Sequence, residues 1–364
     1  MKKFYTVIFY TLMALSVAFA NFNIADAEEV DVESNSISLV FVGDILMHTP
    51  LINQGKIKDE LYDYSFIFEN VKDDIESADI AIVNQETIFI KDRDKYSSYP
   101  TFGSPIEVGE AEVDAGFDII AHATNHTADK GEQGIKDTLS FWSNFPEIGV
   151  LGIHSKPGES PIYWKEVNGA TISFLNYTYG LNGLEGTVPD YMVDLIPSNS
   201  DFTKVAIAKE TSDIVVVILH IGEEYRYTPT NYQREIVEKC IDRGADVVFC
   251  AHPHVVEPFE MVTTENGKQG LVFWSVGNFI SAQNEIPRTL GGMAKVSFFK
   301  IPYTDHWHIS GYTMTPLVTH QEKGNYTTYR LYDYSDELAS KHILRSKGLS
   351  MDKLLSTWKD ILNK

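Results

Sequence analysis

The stretch GADVVFCAHPHVVEP, residues 244–258, runs an apolar segment into two histidines held one residue apart by Pro253. Imidazoles at that spacing, stiffened by proline, suit a metal ion; alone, they also suit an ordinary polar strand end. The same form recurs along the chain. LVFVGD ends on Asp44, IAIVNQE on Asn84 and Glu86, IIAHATNH on Asn125 and His126, and VVVILH on His220. Singly, each is explained as well by a turn, a cap or a hydrogen-bonded edge residue. Together they point to a metal site, because ligands in open α/β sheets gather beyond the carboxyl ends of the strands. Asp44, Glu86, Asn125, His220, His252 and His254 are the candidate metal ligands. They exceed what one ion usually takes from a protein, so two ions are expected. Neutral imidazoles mixed with carboxylates and an amide oxygen fit Mn, Fe or Zn better than calcium, and the lack of paired site cysteines argues against a structural zinc. Two such ions clamp the attacking and leaving oxygens of a displacement and generate hydroxide near neutral pH.

Those side chains need strands to carry them. Apolar runs and helical stretches alternate from ISLVFVGDIL through ADIAIVNQE, DAGFDIIAHATNH, the helix KGEQGIKDTLSFWSNF, TSDIVVVILH, the helix NYQREIVEKCIDRG closed by Gly244, and ADVVFCAH. This rhythm predicts a mostly parallel sheet covered by helices. Between and after these segments, PIYWKEVNGATISFLNYTYG carries a hairpin signal at Asn168-Gly169. GLVFWSVGNFI, GGMAKVSFFKI and HWHISGYTMTPLVTH add strands without helices, which predicts a second, largely antiparallel sheet. The tail from about Ser335 is helical in pattern. The expected divisions are a signal peptide over 1–27, a polar linker over 28–36, one α/β domain over 37–320 and a C-terminal helical extension over 321–364.

The opening MKKFYTVIFYTLMALSVAFA has two lysines ahead of an apolar run, then small-x-small cleavage sites at Ala18-Phe19-Ala20 and Ala25-Asp26-Ala27. The protein is expected to be exported, extracellular or associated with the cell envelope; retention through residues 4–20 as an anchor is the alternative. Two cysteines in 364 residues cannot make a disulfide framework, and Cys240 and Cys250 read as buried thiols or as one bridge. With 51 acidic against 30 basic residues and a net charge of −21, the chain has no basic stripe for a phosphate backbone, so no nucleic-acid partner is expected. An anionic substrate would need a local source of positive charge.

FVGDILM, VNQE, ATNHTADKGEQGIKDT, LHIGEEY, AHPHVVEP and WSVGNF, in that order, resemble the successive signatures of the CapA family of capsule-synthesis proteins, associated with bacterial poly-γ-glutamate. That family is similar in turn to the calcineurin-like metallophosphatases. The resemblance implies an α/β fold of two packed mixed β-sheets flanked by helices, in four layers α/β/β/α. It makes Asp44 and Glu86 acidic ligands, Glu86 standing where a bridging Asp usually lies. Asn125 would bind the second ion, His126 would face the substrate as acid or charge stabiliser, and His220, His252 and His254 would complete the cluster. Where metallophosphatases carry a histidine two residues after the first Asp, this chain has Leu46, with His48 further on. His48, Asn84, Glu223 and Asn278 are candidates for supporting the ligands or touching substrate; Glu223 reads equally as a solvated loop carboxylate, and Asn278 equally as a turn residue. Asp129 and Gly131 read as shaping the turn into the following helix.

Three functions fit. One is an exported metal-dependent hydrolase or transferase of the cell envelope, acting on an anionic polymer or phosphoester in capsule or poly-γ-glutamate biosynthesis or export, alongside other capsule-synthesis proteins at the membrane. Another is a non-catalytic envelope component that assists polymer assembly. The third is a secreted metallophosphodiesterase unrelated to capsule.

Overall fold

The computed structural model describes residues 35–58, 61–304 and 306–364. The expected signal segment and nearly all of the linker lie outside the described residues. The first apolar run forms β1 (Ser36–Ile45), and those that follow form β2 (Ile80–Asn84), β3 (Ile119–Ala121) and β4 (Gly149–Leu151). Asn168 and Gly169, at φ 49° and 76°, join β5 (Tyr163–Val167) to β6 (Ala170–Thr178), the paired left-handed residues of a tight hairpin turn. Then come β7 (Ile214–His220), β8 (Val247–Ala251), β9 (Phe259–Thr263), β10 (Gln269–Phe273) and β11 (Asn278–Ile280). Two long strands, β12 (Leu290–Lys300) and β13 (Trp307–Glu322), and the shorter β14 (Asn325–Arg330) close the series.

These strands make two sheets. The first has the order β14-β13-β12-β1-β2-β3-β4, with β11 beside the end of β1; the second has the order β9-β10-β8-β7-β6-β5. Both are mixed, as the family resemblance implied, which corrects the division into one parallel and one antiparallel sheet read from the strand pattern alone. In the first, β1, β2, β3 and β4 run parallel while β12, β13 and β14 are antiparallel neighbours. In the second, β6, β7, β8 and β10 run parallel, and hairpins add β5 and β9 at the edges. A helix-free strand can join either sheet as an antiparallel edge, so local pattern alone did not say which sheet would take it.

Strand alternation sorts the side chains into layers. In β1, Leu39 and Phe41 face the second sheet, and Phe41 stacks on Phe249 of β8 at 4.7 Å between ring centroids. Val40 and Val42 face the other way, onto a core shared with α1 (Glu107–Asp114) and α2 (Gly131–Trp142) through Val108, Phe141 and Trp142. Behind the second sheet, Val215, Val217 and Leu219 pack on α3 (Thr203–Thr211) and α4 (Asn231–Asp242) through Val205, Ala208, Ile236 and Val237. The architecture is therefore α/β/β/α. Helix α4 starts with a reciprocal cap in which the Thr230 side chain accepts from Gln233 N and the Gln233 side chain returns to Thr230 N.

The boundary expected at 320 falls inside β13, and residues 325–330 form an edge strand rather than a helix. Helical structure begins with α5 (Asp336–Lys341) and ends with α6 (Met351–Leu362). Leu354, Trp358 and Ile361 of α6 belong to the core between the sheets, so this tail is part of the sandwich. Cys240 and Cys250 are buried free thiols, and burial pushes both well above the usual thiol range. Among the described residues no helix is long and apolar enough to cross a membrane.

Candidate metal centre

The two sheets contribute different donor atoms to one end of the sandwich. From the first come the oxygen donors: Asp44 near the end of β1, Asn84 closing β2, Glu86 just beyond it, and Asn125 after β3. From the second come the imidazoles: His220 closing β7, with His252 and His254 beyond β8. All seven are buried.

Close backbone approach sets the positions. Asp44 N donates to Gly277 O at 3.2 Å, and a Cβ on Gly43 would lie 1.9 Å from that same oxygen, so only glycine fits before Asp44. Thr124 Oγ1 donates to Glu86 O at 2.7 Å and fixes the turn that carries the carboxylate. His252 and His254 both adopt left-handed backbone, φ 104° and 57°. Such residues cost about 1–3 kcal/mol each and persist where surrounding structure enforces them.

Ligand-type atoms of three groups lie within 4.8 Å of one another: Glu86, His220 and His252; Asp44, Glu86 and His254; and Glu224, His252 and His254. Glu86 thus belongs to two groups. Its Oε1 is 3.7 Å from both His220 Nε2 and His254 Nε2. His220 Nε2 also faces Asn125 Oδ1 at 2.8 Å, and His254 Nδ1 faces Asp44 Oδ2 and Asn278 Oδ1, each at 3.1 Å. Asn84 Nδ2 donates to Asp44 Oδ1 at 2.8 Å.

These residues fit a divalent cation on their own chemistry. Both Glu86 oxygens and His252 Nδ1 are buried without a hydrogen-bond partner, an arrangement costly in a protein interior unless a cation satisfies it. Burial drives His220 and His252 well below the usual histidine range, with neighbouring imidazoles adding to the effect, which favours the neutral donor form. Burial likewise lifts the Glu86 carboxyl well above its usual range. Burial pulls His254 down too, but the Glu86 and Asp44 carboxylates outweigh it and hold the imidazole up at about 9.

A match to the bacterial capsule synthesis protein family PGA_cap spans residues 38–283 and takes in every one of these donors. The chain belongs to the PGA_cap family. Two curated relatives agree. It is 30% identical over 271 residues to the PGA biosynthesis protein CapA of Bacillus subtilis, covering 71% of this chain and 67% of the relative. It is 27% identical over 270 residues to the capsule biosynthesis protein CapA of Bacillus anthracis, covering 69% of this chain and 61% of that one. The chain therefore spans only about two thirds of those relatives. Among solved structures, a calcineurin-like phosphoesterase from Bacillus subtilis overlaps at TM-score 0.48 with 11% identity, over 90% of this chain and 98% of that one. A 5′-nucleotidase from Staphylococcus aureus overlaps at TM-score 0.47 with 17% identity, over 77% and 54%. These overlaps are loose, and the reading of the centre rests on this chain's own geometry.

The remaining candidates of this PGA_cap chain separate clearly. His126 is buried beside the ligands, and its Nδ1 pairs with Asp129 Oδ2 at 2.7 Å, while the ring packs edge-on against Phe102 at 4.7 Å. Asp129 lies in a turn as expected, its N donating to His126 O at 3.2 Å, and its side chain also orients His126; the i,i+3 spacing of the two was the available signal. His48 lies near His254 and His126, accepts from Ala282 N at 3.3 Å, and is lowered to about 4 by burial. Glu223 is not at the centre. It pairs with Arg226 at 3.0 Å on the surface, and the adjacent Glu224 joins the ligand cluster in its place. With Gly222 at φ 136° and Tyr225 at φ 65°, the loop turns so that Glu224, though exposed, stands on the ligand side, which the repeated acid in the sequence did not reveal.

A cavity of about 260 Å³ opens beside the ligands, lined by Tyr99, Asn125, His126, Asp129, Asn182 and Glu224 among others. A larger hollow of about 380 Å³ around His154 and Phe202 shares no lining residue with the centre. The smaller cavity is where a substrate can reach the donors.

Proposed function

We propose that this protein is an exported, metal-dependent hydrolase of the cell envelope, acting on an anionic phosphoester or γ-glutamyl polymer in capsule biosynthesis. The observation that carries this reading is Glu86: a buried carboxylate with no hydrogen-bond donor, shared between two donor groups, one with His220 and His252 and one with Asp44 and His254. One ion of Mn, Fe or Zn type would be held by Asp44, Glu86 and His254, and a second by Glu86, His220, His252 and Asn125. Bound divalent ions supply Lewis-acid stabilisation of charge developing on the reacting group.

The protein's own residues do the rest. Asn84 and Asn278 fix Asp44 and His254 through hydrogen bonds, and the His-Pro-His backbone fixes the imidazoles before any ion arrives. Asp129 accepts from His126 Nδ1, which orients the ring and leaves Nε2 free; in the imidazolium form Nε2–H can give its proton to a leaving oxygen or face developing negative charge. Asn182 receives the Asn125 amide at 3.3 Å and holds it in place.

The deciding experiment is metal analysis of the purified mature protein, paired with a screen of phosphodiester and γ-glutamyl substrates. Retained transition metal with turnover on either class supports the hydrolase reading. Protein that takes up no divalent ion, or is fully loaded yet inert on both classes, would mean a non-catalytic envelope component. Mass spectrometry of the secreted and membrane fractions tests export, with a mature start near Asn21 or Glu28 expected.

A further inference from the structure

The donors bring several carboxylates together in a chain of net charge −21, so an anionic substrate meets repulsion as it approaches. One cation beside the centre has the opposite character. The Arg288 guanidinium carbon lies over the Tyr225 ring, 3.5 Å from its centroid, and the Tyr225 ring lies 6.1 Å from that of His254.

Both members of this stack are tied to the supports of the metal ligands. Tyr225 N donates to Pro253 O at 2.7 Å, locking the tyrosine onto the His-Pro-His turn in a left-handed conformation. Gln283 Nε2 reaches the Tyr225 hydroxyl at 3.4 Å. Asn278, whose Oδ1 faces His254 Nδ1, donates through Nδ2 to Arg288 O at 3.1 Å.

The fork itself has no carboxylate partner among the described residues. Glu285, nearest in sequence, pairs with Lys347 at 3.1 Å. Other basic residues placed much like Arg288 are paired, as Arg93 is with Glu107 and Arg234 with Glu260. Arg288 is also only half-buried, and Tyr225 beneath it follows Glu224, which lines the cavity beside the ligands.

The geometry points to Arg288, mounted on Tyr225, as the residue that receives an oxyanion of the substrate, a carboxylate or phosphate next to the reacting bond. This rests on the hydrolase reading of the centre and names its specificity determinant. A guanidinium stacked on an aromatic ring keeps its in-plane N–H groups free, and their fork matches the two oxygens of a carboxylate or phosphate. Lysine supplies the charge without the fork and cannot stack in the same way.

The test is calorimetric binding of two probes, inorganic phosphate and a γ-linked glutamate trimer, to full-length mature protein with and without Mn²⁺, with metal content measured on every sample. Arg288→Gln should weaken binding of at least one probe by roughly tenfold to a hundredfold, the range of a charge-assisted hydrogen-bond pair, with metal content unchanged. Arg288→Lys should recover only a minor part of that loss. Tyr225→Leu should weaken binding by about threefold to tenfold, because the fork loses its platform. Which probe responds identifies the source of the oxyanion. Wild-type affinity retained in Arg288→Gln overturns the proposal, as does full rescue by lysine or failure of wild-type protein to bind either probe. Failure of the hydrolase reading is seen separately, as wild-type protein that takes up no metal.

Discussion

Glu86 and Glu112 are both buried, and neither oxygen of either carboxyl has a hydrogen-bond partner. Burial lifts both well above the usual carboxylate range. Their surroundings divide them. At Glu112, on α1, burial is the sole cause of the shift. At Glu86 the charges of His254, Asp44, Glu224 and Asp129 act as well, and two sets of imidazole nitrogens stand around the carboxylate. An orphaned buried acid is therefore no sign of a site by itself; convergent donors from separate strands make it one.

The strongest way to break this contrast is the isosteric change Glu86→Gln, which removes the charge and keeps the volume. Metal affinity should fall by more than the roughly 10–100-fold typical of losing an outer supporting group. Metal analysis after dialysis would show the loss, whereas Glu112→Gln should retain the wild-type metal content. His220→Ala and His252→Ala should follow Glu86→Gln. Unchanged stoichiometry in all three variants would remove the metal assignment.

Next in size is His126→Ala, expected to keep its metal and lose about 10²–10⁴ in turnover, the usual contribution of a positioned acid or base. Loss of metal instead would make His126 a ligand. Asp129→Asn should cost less, about tenfold to a hundredfold in turnover, and should shift the pH-rate profile because the His126 tautomer is no longer fixed.

Chelation gives a smaller, purely thermodynamic signal. An ion at a hundred times its Kd stabilises by about 2.7 kcal/mol, so metal removal should lower Tm by several degrees in wild-type protein and hardly at all in Glu86→Gln. Equal Tm shifts in the two proteins would place the stabilising ion elsewhere.

Smallest is the effect at Glu112. Its folded-state pKa lies above the unfolded value near 4.5, so its contribution to stability is complete below that pH and is lost as pH rises toward the folded value. Glu112→Gln should leave Tm close to wild type near pH 4 and raise it near pH 8, by the few degrees that about 1–2 kcal/mol represents. A Tm difference independent of pH would mean that Glu112 is not paying for burial through its proton.

Much of the centre was legible in the sequence because each donor closes an apolar run, and an apolar run in an α/β chain is a strand whose end is known. What stayed hidden depends on backbone turns and long-range pairing. Glu224 and Glu223 are adjacent acids, and the left-handed turn at Tyr225 decides which stands on the ligand side. Asp129 looked like a turn residue because its partner, His126, is chosen by packing against Phe102. The layers followed from alternation, but the assignment of β5, β9 and β14 to antiparallel edges did not, since hairpin strands carry no mark of the sheet they will join. The tail looked like an appendage until α6 placed Trp358 between the sheets.

The division of donors between the sheets sets an order of events. Apart from Glu224, the oxygen donors lie in residues 44–125, the imidazoles lie in 220–254, and His254 meets Asp44 across 210 positions of chain. Neither of the two donor groups that contain Glu86 can form from one stretch alone, so their occupancy must wait until both layers have closed on each other. If the chain is exported as proposed and threaded through a membrane in extended form, it would cross with those groups empty and draw their metal from the compartment in which it folds. The supply of ions there, rather than in the cytoplasm, would decide what the finished protein carries.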